Sequence, residues 1–161
     1  MIYIYYTLLA ALLFKIAYID FKEQLIDDKD ILIGLLWAFL WKAFYFNSAL
    51  DALYGALWSG ILFFTYYWCI KKYYGQEYFG AGDVTLNVLL GAILGFEGSL
   101  LLQIWGNLII LLFCIILILA GIDKNEKIPL APLYVTAATL CLLAQNIDLG
   151  VILCLLDSLL H

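Results

Sequence analysis

Two acidic side chains stand where solvation alone does not explain them. Asp20 ends the apolar segment Ala17-Tyr18-Ile19-Asp20-Phe21. Asp83 closes Phe79-Gly80-Ala81-Gly82-Asp83 and opens a further apolar run, Val84-Thr85-Leu86-Asn87-Val88. Desolvating a carboxylate at the edge of hydrocarbon is costly, so such a group needs a partner, a proton or a wet cavity. Gly80 and Gly82 allow bends and close approaches that a side chain would block, and the segment they flank can present Asp83 to a cavity. Taken singly, each aspartate has an ordinary use: Asp83 as a helix N-cap, Asp20 as an interfacial charge. Taken together they offer chemistry. Two close carboxyls share one proton because like charges disfavour double ionisation. The ionised partner can then activate a water while the protonated one polarises a peptide carbonyl. This scheme requires neither metal nor cofactor, and the chain offers no metal-ligand set, its single histidine being the terminal His161.

Other chemistries fit the residues less well. A serine–histidine or cysteine–histidine arrangement would depend on His161. Cys69, Cys114, Cys141 and Cys154 lie inside apolar runs without a C-x-x-C pair, as buried thiols do, so a zinc knuckle or redox dithiol is not indicated. Gly80-Ala81-Gly82 is too short for a phosphate loop and no Lys-Ser/Thr follows it. A formal net charge of −5 argues against nucleic acid as a partner.

The elements that must position the two carboxyls are apolar. Of 161 residues, 66% are hydrophobic and 13% charged, with a mean hydropathy of +1.02. A soluble domain of this length needs more polar surface. Apolar segments fall at about 2–19, 31–46, 50–70, 84–96, 98–120 and 129–145, each a candidate bilayer crossing. The expected fold is an all-α polytopic membrane bundle of about six transmembrane helices forming one domain over residues 1–161. The first run lacks the basic start and cleavage site of a signal peptide and reads as a retained span. A seventh stretch at 147–160, interrupted by Asp157, fits a re-entrant or interfacial helix or a short extra span.

Lysines orient the bundle. Lys22 and Lys29 occupy the first polar break, Lys71 and Lys72 the third, Lys124 and Lys127 the fifth, and the alternate breaks carry none. Positive charge stays on the cytoplasmic side. The odd breaks are therefore expected in the cytoplasm, with the N-terminus outside and both Asp20 and Asp83 at the cytoplasmic face. Lys15 and Lys42 are expected to snorkel to an interface. Asp51, Glu97, Asp123, Glu126 and Asp148 fall in polar turns and read as solvated. Gly91-x-x-x-Gly95, with Gly55 and Ser59-Gly60, suits close helix contact.

At three segments the chain resembles the type IV prepilin peptidases and the related archaeal preflagellin peptidases. Tyr18-Ile19-Asp20-Phe21-Lys22 with Ile26-Asp27-Asp28 is similar to the family's Asp at a span end followed by Ile-Pro-Asn/Asp. Phe79-Gly80-Ala81-Gly82-Asp83-Val84 carries GxGD, and Ile128-Pro129-Leu130-Ala131-Pro132 is similar to Ile-Pro-Phe-Gly-Pro. The order is the family's, and the likeness extends from about residue 8 to residue 145. Asp27, Thr85, Leu130 and Ala131 depart from the usual Pro, Lys, Phe and Gly.

The resemblance implies catalytic roles for Asp20 and Asp83, with Gly80 and Gly82 supporting the loop. It also implies a multi-pass enzyme of the prokaryotic cell membrane. Its partner would be a membrane-inserted pilin-like precursor with a short basic leader, cut at the cytoplasmic face. The cysteine-bearing extension that accompanies N-methylation in longer relatives is not seen before the first motif, so proteolysis alone is expected. Glu23, Asp27, Asp28 and Asp30 make the first cytoplasmic loop acidic, which suits a basic leader and equally suits a solvated loop. The competing readings are a presenilin-like or signal-peptide-peptidase-like GxGD protease, and a non-catalytic membrane transporter or assembly factor using the aspartates for protons or packing.

Overall fold

The computed structural model describes residues 2–45, 48–74, 80–119 and 129–146. The seventh apolar stretch at 147–160, the lysine-bearing break at 121–128 and residues 75–79 lie outside them. The described residues form five helices: α1 (Ile2–Glu23), α2 (Asp28–Tyr45), α3 (Ala49–Tyr74), α4 (Ala81–Leu119) and α5 (Ala131–Asn146). The fourth and fifth apolar runs of the expected six are the two arms of one kinked element, α4.

That element does not run straight. Gly95 has φ 78° and ψ −175°, outside helical geometry, within α4. Such a φ is strained for residues with a Cβ and easy for glycine. The break expected at Phe96–Gly98 therefore falls one residue earlier, and Glu97 and Gly98 are helical. At 1.5 Å per residue the arms 81–94 and 96–119 span roughly 21 and 36 Å.

A clamp from two other helices holds the kink. Phe96 N–H, the first donor of the second arm, is given to Asp51 Oδ1 at 2.9 Å, and Asp51 Oδ2 accepts from Lys42 Nζ at 2.9 Å. Asp51 thus caps a helix from outside it, since the first N–H groups of a helix have no partner within it. This corrects two expectations. Asp51 stands in the first turn of α3 and is not a solvated turn residue, and Lys42 does not snorkel, its side chain being only 12% exposed. Lys15 likewise meets Asp30 of α2 at 2.7 Å.

Packing centres on α4, which meets α3 most extensively, then α5 and α2, while α5 also touches α1. The α3–α4 crossing is tight because both partners lack side chains there. A Cβ on Gly91 would run into the Gly55 carbonyl and come within 2.6 Å of Ser59 Oγ. Around this crossing, Leu9, Leu13 and Ile16 of α1, Phe63 of α3 and Leu86, Leu89 and Leu90 of α4 are buried at helical spacing. The outward surface remains apolar: Phe14, Ile61, Ile104 and Ile116 are exposed. By length and composition, α3 over Ala49–Tyr73 and α4 over Ala81–Leu117 can cross a membrane.

Candidate active site

The two aspartates come together at one end of the bundle, where α1 finishes and α4 and α5 begin. Asp20 lies in the last turn of α1 and is 6% exposed. Its helix stops one turn later at Gln24, whose φ of 53° is left-handed and whose N–H bonds the Asp20 carbonyl at 2.9 Å, a common way to end a helix. The Asp20 side chain reaches across the fold: Oδ2 accepts from the backbone N–H of Ala131 at 3.0 Å, within the interior. Ala131 is the first residue of α5, so its N–H has no partner inside its own helix. Pro132 follows, and its missing N–H is one that a first helical turn would leave unpaired in any case. The Pro-x-x-Pro element therefore delivers a backbone donor and the positive end of a helix dipole to Asp20.

Asp83 is third in α4 and closes a reciprocal turn with Gly80. Its N–H donates to the Gly80 carbonyl at 3.2 Å, and its Oδ2 accepts from Gly80 N–H at 3.3 Å. The side-chain bond is one half of a capping box, with the Gly80 carbonyl standing where a capping side chain would accept. The same carboxyl is close enough to Asp20 for the charge of one to act on the other. Gly82 is needed for a different reason. A Cβ there would lie 3.0 Å from Ile26 Cβ, so the segment after α1 rests on the backbone of the glycine motif. One turn below, the fully buried Asn87 donates Nδ2 to the Asp83 carbonyl at 3.0 Å, and its Oδ1 has no protein partner.

The acidic segment after α1 divides. Glu23, Asp27 and Asp28 are exposed, and Asp27 Oδ1 caps α2 by accepting from Lys29 N–H at 3.0 Å. Asp30 is buried and held by Lys15, so it is not free to meet a ligand. The reason is helical spacing: two residues beyond Asp28, Asp30 has turned inward towards α1.

Reading along the chain missed Tyr134. It is buried in α5 one turn after Ala131, and its hydroxyl donates to Asn107 Oδ1 at 3.0 Å. A hydroxyl one turn beyond the Pro-x-x-Pro element was the available signal. A groove of about 870 Å³ also exists, but Leu57, Trp58, Leu94 and Glu97 are among the residues lining it at the kinked end of α4, and neither aspartate borders it. Along α4 that end is roughly 18 Å from Asp83.

A prepilin leader peptidase/N-methyltransferase of Aeromonas salmonicida strain A449 is 28% identical over 143 residues, covering 84% of this chain and 47% of the relative. A protein of the same name from Pseudomonas aeruginosa is 31% identical over 134 residues, covering 81% and 46%. Another from Haemophilus influenzae is 30% identical over 125 residues, covering 75% and 52%. The chain thus spans about half the length of the curated relatives it matches. No solved structure matches it. The sequence profile of the type IV leader peptidase family matches residues 7–122, across both aspartates, and the chain belongs to that family.

Proposed function

We propose that this chain is an aspartic endopeptidase that removes the short basic leader from type IV prepilin-like precursors at the cytoplasmic face of a prokaryotic cell membrane. The observation that carries the reading is that Asp20 and Asp83, far apart in sequence, stand at one end of the bundle, where the segment after α1 packs through Ile26 on Gly82 beside Asp83 and Ala131 N–H holds Asp20. Family membership supports the same chemistry.

The pair works through one shared proton. The ionised carboxylate takes a proton from water as the water oxygen adds to the scissile carbonyl carbon, and the protonated partner hydrogen-bonds the carbonyl oxygen as charge builds there. Collapse of the tetrahedral intermediate breaks the C–N bond, and the leaving amine takes up the transferred proton. Ala131 N–H and Gly80 N–H, bonded to the two carboxyls, hold them in place so that little reorganisation accompanies reaction.

The reading includes a single multi-pass domain over residues 1–161, with six crossings if each arm of α4 is one, and the N-terminus outside. The short first arm, roughly 21 Å against a hydrocarbon core of about 30 Å, leaves Asp83 inside the membrane boundary when the kink is at the opposite interface. A precursor whose apolar helix lies in the bilayer would present its leader junction at that depth. Exposed Glu23, Asp27 and Asp28 beside the glycine motif suit the leader's basic residues.

The test is co-expression of a pilin-like precursor with the wild type, Asp20→Asn and Asp83→Asn. Wild type is expected to process the precursor and each variant to leave it intact. Processing that survives both substitutions refutes the assignment.

A further inference from the structure

Asn87 is a fully buried amide among the buried leucines Leu86, Leu89 and Leu90 of α4, and the proposed hydrolysis gives it no role. A residue four positions after Asp83 lies on the same face of the helix, and helical side chains lean over the turn that precedes them. The Asn87 amide accordingly covers the Asp83 turn, where Nδ2 donates to the Asp83 carbonyl at 3.0 Å. A carbonyl can only accept, so this bond fixes which end of the amide is which. The other end, Oδ1, is buried and accepts no hydrogen bond from any described residue. Asp83 itself is only half-buried, so water reaches this turn along its side chain.

The Nδ2 bond is surplus to the helix, because the Asp83 carbonyl is already the acceptor for the backbone N–H of Asn87. An amide is thus buried for a bond the fold does not need, and one of its polar atoms is left over. A leucine here would bury no unmet acceptor and would cost less. We infer that Asn87 Oδ1 is an acceptor for the hydrolytic water, holding it one helical turn from Asp83, between the amide and the carboxyl pair. The inference rests on the proposed peptidase reading and adds a residue to it. Side chains four apart on a helix have Cβ atoms about 5–6 Å from each other, a separation that one water bridges. That water gives one proton to Asn87 Oδ1 and turns the other towards the ionised carboxyl, leaving an oxygen lone pair for the scissile carbonyl carbon. As the carboxyl takes its proton the water oxygen bonds the carbon, and the hydrogen bond to Asn87 persists. A water held by two fixed acceptors is oriented before substrate arrives, so less reorganisation accompanies the reaction.

Asn87→Leu keeps the size of the side chain, removes both polar ends and leaves the helical bond to the Asp83 carbonyl. In the purified full chain its Tm is expected to equal or exceed that of the wild type. Cleavage of a precursor peptide is expected to lose roughly 10- to 100-fold in kcat, with KM within about twofold, as for a displaced reacting group. Asn87→Thr keeps a hydroxyl that can donate to the Asp83 carbonyl and still accept from water, and its kcat is expected to lie between the two. A second readout needs no turnover. An internal water is recognised in the infrared by an O–H stretch that shifts in heavy-oxygen water; the band is expected in wild type and to be lost in Asn87→Leu. A wild-type kcat in Asn87→Leu, an unchanged water band in that variant, or a kcat in Asn87→Thr no higher than in Asn87→Leu overturns the inference. Wild-type cleavage by both Asp20→Asn and Asp83→Asn would instead overturn the peptidase pair, and the Asn87-dependent band, read without cleavage, separates the two failures.

Discussion

Replacing Asp51 with alanine tests whether the α4 kink is clamped from outside the helix. Three consequences follow from the geometry. The Phe96 N–H loses its acceptor at 2.9 Å, which for a helix cap is worth about 1 kcal/mol. The ion pair with Lys42 is lost, and because the Asp51 side chain is 44% exposed that term alone is small, on the order of 0–1 kcal/mol. Lys42, only 12% exposed, is left with an ammonium lacking its partner. Orphaning a buried charge costs about 3–5 kcal/mol as an upper figure, and a lysine able to redirect its flexible stem incurs less, about 1 kcal/mol. Together these predict a loss of about 2–3 kcal/mol, which for a chain of this size lowers Tm by roughly 4–12 °C.

The diagnostic comparison is between variants, measured by thermal unfolding of the detergent-purified chain. Asp51→Asn keeps an acceptor for Phe96 N–H and loses the charge, so it should lie between wild type and Asp51→Ala. Adding Lys42→Met to Asp51→Ala removes the orphaned ammonium and should recover about 1 kcal/mol, a non-additivity expected only of directly coupled side chains. If Asp51→Ala unfolds within about 0.5 kcal/mol of wild type, the ordinary range for surface changes, the clamp contributes nothing and the kink must be held by Gly95 alone.

Packing and charge distribution predict further outcomes. Gly91→Ala is expected to cost about 1–3 kcal/mol or more by overpacking, because its Cβ would run into the Gly55 carbonyl. Gly60→Ala should cost less, since the atom in its way is the Val88 Cγ2 methyl at 3.0 Å, which can give way; equal unfolding temperatures for the two would contradict the close crossing. Glu23→Gln with Asp28→Asn should raise KM for a basic-leader peptide by roughly two- to fivefold at low ionic strength, and the effect should fade as salt screens exposed charge. Asp30→Asn should leave KM unchanged and lower stability instead, because its carboxyl is buried against Lys15; an unchanged KM in the double variant removes the leader-binding role of the loop.

What was readable along the chain is what depends on local pattern. Helices could be drawn from apolar runs because each run is long enough to bury or to cross, and the aspartates stood out because a carboxylate at such a boundary is costly. What was hidden depends on pairing across the fold. Lys42, read alone, is a long side chain near a span end, and Asp51, read alone, is an acid in a polar turn; only when α2 and α3 are packed against α4 do they meet at Phe96 N–H. The break between the fourth and fifth apolar runs was misplaced for the same reason, since Glu97-Gly98 looks like a turn until Gly95 takes the positive φ and leaves both residues free to be helical.

The Pro-x-x-Pro element shows the same division at the site itself. Its two prolines stand where the apolar run at about 129–145 begins, a place that fixed φ and missing N–H groups suit, but nothing local says where the remaining donor points. The fold aims the Ala131 N–H at a side chain in the last turn of α1, and the helix that begins there places Tyr134 one turn on, against the second arm of α4. The first and last described helices thereby share a hydrogen bond at the aspartate end.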